Sequence, residues 1–250
     1  MLPIAFEDAT KVIQAFLLSG KEYVCLMQLH EDVAEDRIRA VFSEFIGAIL
    51  QRPPLRAAVK RVVRERMIYK SDILEIDGRL VLFKIACQAG TYARKICSDI
   101  GEALGCGAHM KELRRTRAGP FNEDKNSFSL YDLLDAYDDW KQKKDEAKLR
   151  KAVRPVEEAF DFIPKVYIRD SAVDAICHGA DLAIPGIVRL DKAIVSRTLL
   201  VLLSIKGEVV ALAKALLSTE QMLEQDHGIA AKTVRVIMPP GTYPSLWKES

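Results

Sequence analysis

The stretch 89–119, AGTYARKICSDIGEALGCGAHMKELRRTRAG, joins an arginine in the first turn of a predicted helix, Arg94, to a dense basic run, Leu113-Arg114-Arg115-Thr116-Arg117. A cation at a helix N-terminus opposes the helix dipole, which favours anions at that end. Arg94 therefore asks for a compensating partner, a buried carboxylate or a phosphate, held by charge-assisted hydrogen bonds. No residue upstream offers itself as that carboxylate. On spacing alone, a surface arginine that serves no partner is the more frequent outcome. Chemistry on an RNA base in a folded pocket is one of the few tasks that uses both features.

In a strand, alternate residues face opposite sides, so Leu113, Arg115 and Arg117 are expected on one face and Arg114 on the other. A second basic segment holds Arg52, Arg56, Lys60, Arg61, Arg64 and Arg66. Such segments suit contacts to a phosphate backbone. A charged edge strand that discourages aggregation explains them equally well. Tyr23 and Tyr92 read as half-buried aromatics whose hydroxyls find partners, or as platforms for an extruded base. His109 reads as a structural histidine. Further on, Gly179 and Gly186 in CHGADLAIPGI permit close backbone approach, as a sugar-phosphate chain would need, and plain turn chemistry accounts for them too.

The elements that must position these residues follow from periodicity. Residues 7–18 predict a helix with Val12, Ile13, Phe16 and Leu17 on one face, and 21–29 a strand. Residues 34–46 predict a second helix packing Ile38, Val41, Phe42, Phe45 and Ile46, broken by Gln51-Arg52-Pro53-Pro54. Runs 67–76 and 80–87 flank Asp77-Gly78 as a hairpin. Thr91 is the expected N-cap of a helix through Leu104, with Gly105 its stop. Ser129 and Asp132 form a capping-box pattern, and 141–151 is a charged helix or linker. Strands are predicted at 165–168, 187–190, 199–205, 208–216 and 233–238, with one short helix at 171–178. That density of short strands suggests a small barrel, and a domain boundary near residue 160.

With 250 residues, 49% hydrophobic and 29% charged, the chain can bury one large core or two modest ones. A net charge of +2 does not announce a nucleic-acid partner by itself, so local clustering carries that case. Five cysteines without a CxxC pair, and histidines without HxxxH spacing, suit a reducing cytoplasm and point to neither a disulfide framework nor a metal site. No predicted apolar run is long enough to span a bilayer.

Gly20-Lys21-Glu22-Tyr23, Gln51-Arg52-Pro53-Pro54, Ala89–Arg94 and Gly107–Gly119 occur in the order seen in the TruB/dyskerin family of RNA pseudouridine synthases, and Ile163–Trp247 resembles its C-terminal PUA domain. The resemblance covers nearly the whole chain and looks archaeal, similar to the catalytic protein of H/ACA guide-RNA particles. It implies an α+β fold: a mixed-sheet catalytic domain over 1–160, then a small β-barrel PUA domain over 161–250. It implies that a flipped-out uridine is attacked by an aspartate, loses its glycosidic bond, rotates and rejoins through carbon, with no cofactor or metal. Tyr23 matches the active-site tyrosine that stacks on the base. Arg94 matches the arginine paired with the catalytic aspartate, Tyr92 and Leu113 match pocket positions, and Arg114, Arg115, Arg117, Gly179 and Gly186 fall on RNA-binding segments. Ala93 departs from the family's usual branched apolar residue.

By the same resemblance, the catalytic aspartate belongs to a loop ahead of the segment matching Leu2–Ala5, and the role does not pass to Asp8. The expectation is a portion of the enzyme, inactive alone, with an opened sheet edge. Its implied partners are guide RNA, rRNA or tRNA, and small H/ACA ribonucleoproteins. The alternative is a noncatalytic RNA-binding or scaffold protein using the PUA domain and basic strands. A PUA-containing methyltransferase would need a glycine-rich cofactor loop, which the sequence lacks.

Overall fold

Strand alternation and helical spacing build two separate cores in the computed structural model, which describes residues 1–54 and 59–245. A 3-10 turn, Glu7–Val12, runs into α1 (Ile13–Leu17). Next come β1 (Lys21–Leu29), α2 (Glu35–Glu44), β2 (Gly47–Gln51), β3 (Arg64–Asp77), β4 (Leu80–Cys87), α3 (Ala93–Leu104), β5 (Ala108–Ala118), β6 (Phe121–Asn122) and α4 (Glu123–Asn126). Helices α5 (Leu130–Lys143) and α6 (Ala147–Ala152) close this part. The remainder carries β7 (Lys165–Ile168), α7 (Asp170–Cys177), β8 (Leu182–Ala183), β9 (Ile187–Leu190), β10 (Leu199–Leu203), β11 (Val209–Ala215), α8 (Thr219–Glu224) and β12 (Ile229–Val236).

The chain divides into two compact units, one of residues 1–4 and 17–152, the other of 5–16 and 153–250. In the first, the strand order is β2-β3-β4-β1-β5-β6, with every described pair antiparallel. Alternate residues Cys25, Met27 and Leu29 of β1 and Val81, Phe83 and Ile85 of β4 are buried, as the pleat requires. They meet Ile96, Cys97, Ile100 and Leu104 of α3, spaced to fill one helical face, and Ile38, Val41 and Phe42 of α2. Phe42 packs edge-on against Phe83, with centroids 5.0 Å apart.

In the second unit the order is β8-β12-β11-β10-β7-β9, with β7 and β10 parallel. A 3-10 turn, Ile184–Gly186, links the two outermost strands, so the sheet curls into a nearly closed barrel. Leu200, Leu202, Val210, Ala211 and Ala213 point into the barrel core. Their neighbours Val201, Leu203, Val209 and Leu212 form a further core with Phe160, Ile163, Val12 and Ala15.

Several expectations need correction. The first helix buries Val12 and Ala15, while Ile13 and Leu17 are exposed, because the 3-10 start rotates the face. Ile46 lies outside α2 and is exposed, and the chain runs straight into β2, a strand the Pro-Pro break had obscured. Short elements β8 and α8 were not anticipated. Arg56 and Trp247 lie outside the described residues.

Candidate active site

Helix α3 begins where Gly90, at φ 79°, turns the chain off β4. Its N-cap is Tyr92, not Thr91, and no side chain of its own caps it. The Thr91 hydroxyl instead donates to the Gln88 carbonyl at 2.8 Å, which closes the preceding turn. The Tyr92 amide donates to Gln51 Oε1 at 3.0 Å, and Gln51 Nε2 donates back to the Tyr92 carbonyl at 3.3 Å. Arg94, in the first turn, is exposed, and its side chain makes no hydrogen bond or ion pair among the described residues. The neighbouring carboxylate, Asp99, is engaged by Lys95. Burial raises the Asp99 pKa, and Lys95 works against that rise.

Tyr23 lies across from Ile85 on one side and Arg115 on the other. It is half-buried and packs against the first unit's core. Two residues along β1 on the same face, Cys25 places its sulfur 3.5 Å from that of Cys97 in α3. Tyr23 therefore stands on the side of the sheet that carries α3. Burial pushes its hydroxyl pKa up, Cys87 adds to this, and the hydrogen-bonded Arg115 guanidinium opposes it. Burial also raises the Cys87 thiol to about 11, against a hydrogen bond with Thr91 and the charge of Lys21. Leu113, paired with Cys25, shares the Tyr23 face and is partly exposed.

The expected alternation of the basic run fails at one point. A bulge lets Arg115 pair with Tyr23 while Arg117 pairs with Glu22, so the two arginines oppose residues of opposite faces. Thr116, at the bulge, donates to Glu22 at 2.8 Å. Arg114 and Arg115 also differ in their partners. Arg114 is ion-paired to Glu123 at 2.9 Å. Arg115 donates through Nε to the Met1 carbonyl at 3.0 Å, and its own carbonyl accepts from the Met1 ammonium at 2.9 Å. His109, read as structural, has its Nδ1 3.0 Å from Nε2 of His30.

Beside the start of α3, Arg52, Pro53, Pro54, Arg61 and Lys95 line a cleft of about 460 Å³. The Arg66 guanidinium lies against Gly90, about 3.2 Å from where a Cβ would sit. Sequence reasoning found Arg52, Arg61 and Arg66 but not Lys95, and it read Gln51 only as part of a helix-breaking motif, since β2 was unseen and a polar residue at a strand end carries no further signal. In the second unit, α7 and the loop through Gly186 line a cleft of about 300 Å³. Gly179, at φ 93°, has open space around it, whereas a Cβ at Gly186 would lie 3.2 Å from Ala172 and 3.3 Å from Leu182.

Comparison with known proteins places three family models along the chain. Residues 1–93 match the TruB family pseudouridylate synthase N-terminal domain, 94–161 the tRNA pseudouridylate synthase B C-terminal domain, and 164–237 the PUA domain. A relative named "Probable tRNA pseudouridine synthase B" from Methanopyrus kandleri is 58% identical over 99% of this chain and 73% of its own length. One of the same name from Thermococcus kodakarensis is 55% identical over 100% of this chain and 74% of its own. Among solved structures, a Cbf5-Nop10-Gar1 complex matches with a TM-score of 0.95 and 52% identity, over 98% of this chain and 75% of that one. An H/ACA RNP bound to a substrate RNA containing 2'-deoxyuridine matches at 0.89 and 49%, over 97% and 74%. With this identity running through a sheet, a helix start and a barrel that the sequence motifs share, the chain belongs to the TruB/Cbf5 family of pseudouridine synthases.

Proposed function

We propose that this chain binds RNA and presents a uridine for isomerisation to pseudouridine, in guide-directed H/ACA particles, in tRNA, or both. The observation that carries this is the half-buried Tyr23 on the α3 side of the sheet, beside Arg115, with a cation-lined cleft at the start of α3. A ring in that setting can stack on an extruded base, and the cations can hold the flanking phosphates. Arg94 serves the attacking aspartate, and Tyr92 and Leu113 shape the pocket. Arg114, Arg115 and Arg117 approach the backbone, and Gly179 and Gly186 admit a strand to the PUA module. The proposed partners are guide RNA, rRNA or tRNA, and the small proteins of H/ACA particles. The proposed division puts the catalytic part at 1–160 and the PUA part at 161–250, in an archaeal-type protein of the cytoplasm. No described helix is long and apolar enough to cross a membrane.

The Arg94 side chain makes no ion pair with a carboxylate among the described residues, and the polypeptide alone is proposed to bind RNA without turning it over. Isomerisation moves the bond from N1 to C5, so tritium at C5 of uridine is released as it proceeds. The test combines that release assay with a binding titration against a uridine-bearing stem-loop. Binding that weakens steeply with salt, and drops by roughly 1–3 kcal/mol when Tyr23→Leu removes the stacking ring, is expected. Sustained tritium release by the isolated chain would overturn the inactivity. Affinity unaffected by the Tyr23 change would overturn the pocket. Binding with no release even in a reconstituted particle would favour the noncatalytic scaffold.

A further inference from the structure

We infer that Gln51 is a positioning residue: its side chain locks the first turn of α3 to the end of β2, and so fixes how Arg94 and the basic cleft meet RNA. The inference rests on the RNA-binding reading above and deepens it.

A helix start leaves backbone donors without intrahelical partners, usually met by a capping side chain in the same segment. In α3 no such side chain acts. The N-cap amide of Tyr92 is met instead by the Gln51 carboxamide, 41 residues earlier, which also donates back to the Tyr92 carbonyl. In a capping box that amide would be met from the third helical residue. Here the bond comes from another strand, so it fixes position as well as satisfying a donor. Gln51 is only 2% exposed, which makes an unmet polar group there costly.

The placement is what gives the contact a consequence beyond stability. Arg52, Pro53 and Pro54 directly follow Gln51, Lys95 lies in the first turn after Tyr92, and all four line the cleft. Arg94 projects from that same turn. A single carboxamide thus joins the two segments whose separation sets the width of a cationic site. Without it, β2 still pairs with β3 through Gly47–Gln51 and α3 still packs through Ile96, Cys97 and Ile100. Only the relative placement of Arg52, Arg94 and Lys95 loosens.

The test compares wild type with Gln51→Leu, which removes both hydrogen bonds, and Gln51→Glu. A protonated glutamic acid offers the same donor and acceptor pair as the amide, whereas the carboxylate keeps only the acceptor. Hydrogen exchange at the Tyr92 amide and affinity for a uridine-bearing stem-loop at fixed salt are read together. Gln51→Leu is expected to lose roughly tenfold in both, with the amides of β1 and β4 still protected. Gln51→Glu is expected to recover both, more fully as the pH is lowered, a trend wild type lacks. Wild-type RNA affinity in Gln51→Leu overturns the inference and leaves the RNA reading intact. Loss of protection throughout the sheet, with no recovery in Gln51→Glu, also overturns it, since Gln51 would then be structural alone. Absence of RNA binding by wild type overturns the RNA reading and this inference with it.

Discussion

A single glycine shows how tightly the site's scaffold is set. Gly101, in the middle of α3, would place a Cβ 2.2 Å from the Ala108 nitrogen and 2.5 Å from the Gly107 carbonyl carbon. Those atoms are backbone, and the Gly101 carbonyl accepts from the Gly107 amide at 2.9 Å, so nothing cheap can move aside. Gly101→Ala is expected to push α3 away from β5 and to cost about 1–3 kcal/mol or more, measured by urea unfolding. A change within a few tenths of a kcal/mol would mean that the helix slides freely over the strand. This contact was not legible in the sequence, where a mid-helix glycine only lowers helix propensity. Tyr23, by contrast, was placed on its strand by its neighbours alone, and Lys21–Leu29 is the strand observed. The role of Gln51, quoted only within its motif, was not legible because its partner is 41 positions away and nothing local records the pairing.

At the scale of elements, capping patterns and turn glycines were readable because their chemistry is local. Ser129 and Asp132 form the full capping box of α5, and Gly105, at φ 79°, ends α3. The bulge in β5 was not readable, since it depends on how β1 pairs with it. The charged stretch after α5 has a specific structural role. Asp139 binds Lys143 at 2.6 Å within α5 and Lys148 at 2.6 Å in α6, joining the two helices. These lysines hold the Asp139 pKa down to about 2, below its ordinary 3.8. A carboxylate depressed by folding stabilises the fold above its unfolded pKa, and that contribution is lost as the pH falls through the folded value. The α5–α6 junction is therefore expected to loosen between about pH 4 and pH 2, seen as rising amide exchange in α6. Asp139→Asn should show the same loosening already at neutral pH. Because these groups are exposed, the effect should shrink in high salt. Acid exchange in α6 identical to wild type at neutral pH would show that the pairs contribute nothing.

Over the whole molecule, the segment before β1 raises a question that periodicity could not answer: which core it serves. It belongs with the second unit, although it lies in sequence next to the first. The reason is in β10 and β11. Val201, Leu203, Val209 and Leu212 alternate with residues that fill the barrel, and so would face outward into water. Phe160 and Ile163 cover part of that outer face, and Val12 and Ala15 complete the cover, each 4% exposed. The sequence showed those strands as continuous apolar runs, the pattern of a strand buried on both sides, without naming what lies on the second side. Ala15→Glu would bury an unpaired carboxylate there, at a cost of roughly 2–4 kcal/mol. Hydrogen exchange is expected to rise in β10 and β11, while β1 and β4, whose core contains neither Val12 nor Ala15, keep their protection. Uniform loss in both units would show that the 5–16 segment supports the first core as well, and no loss in β10 would show that the outer face of the barrel needs no cover. The barrel's outer apolar face is therefore what fixes the position of this segment.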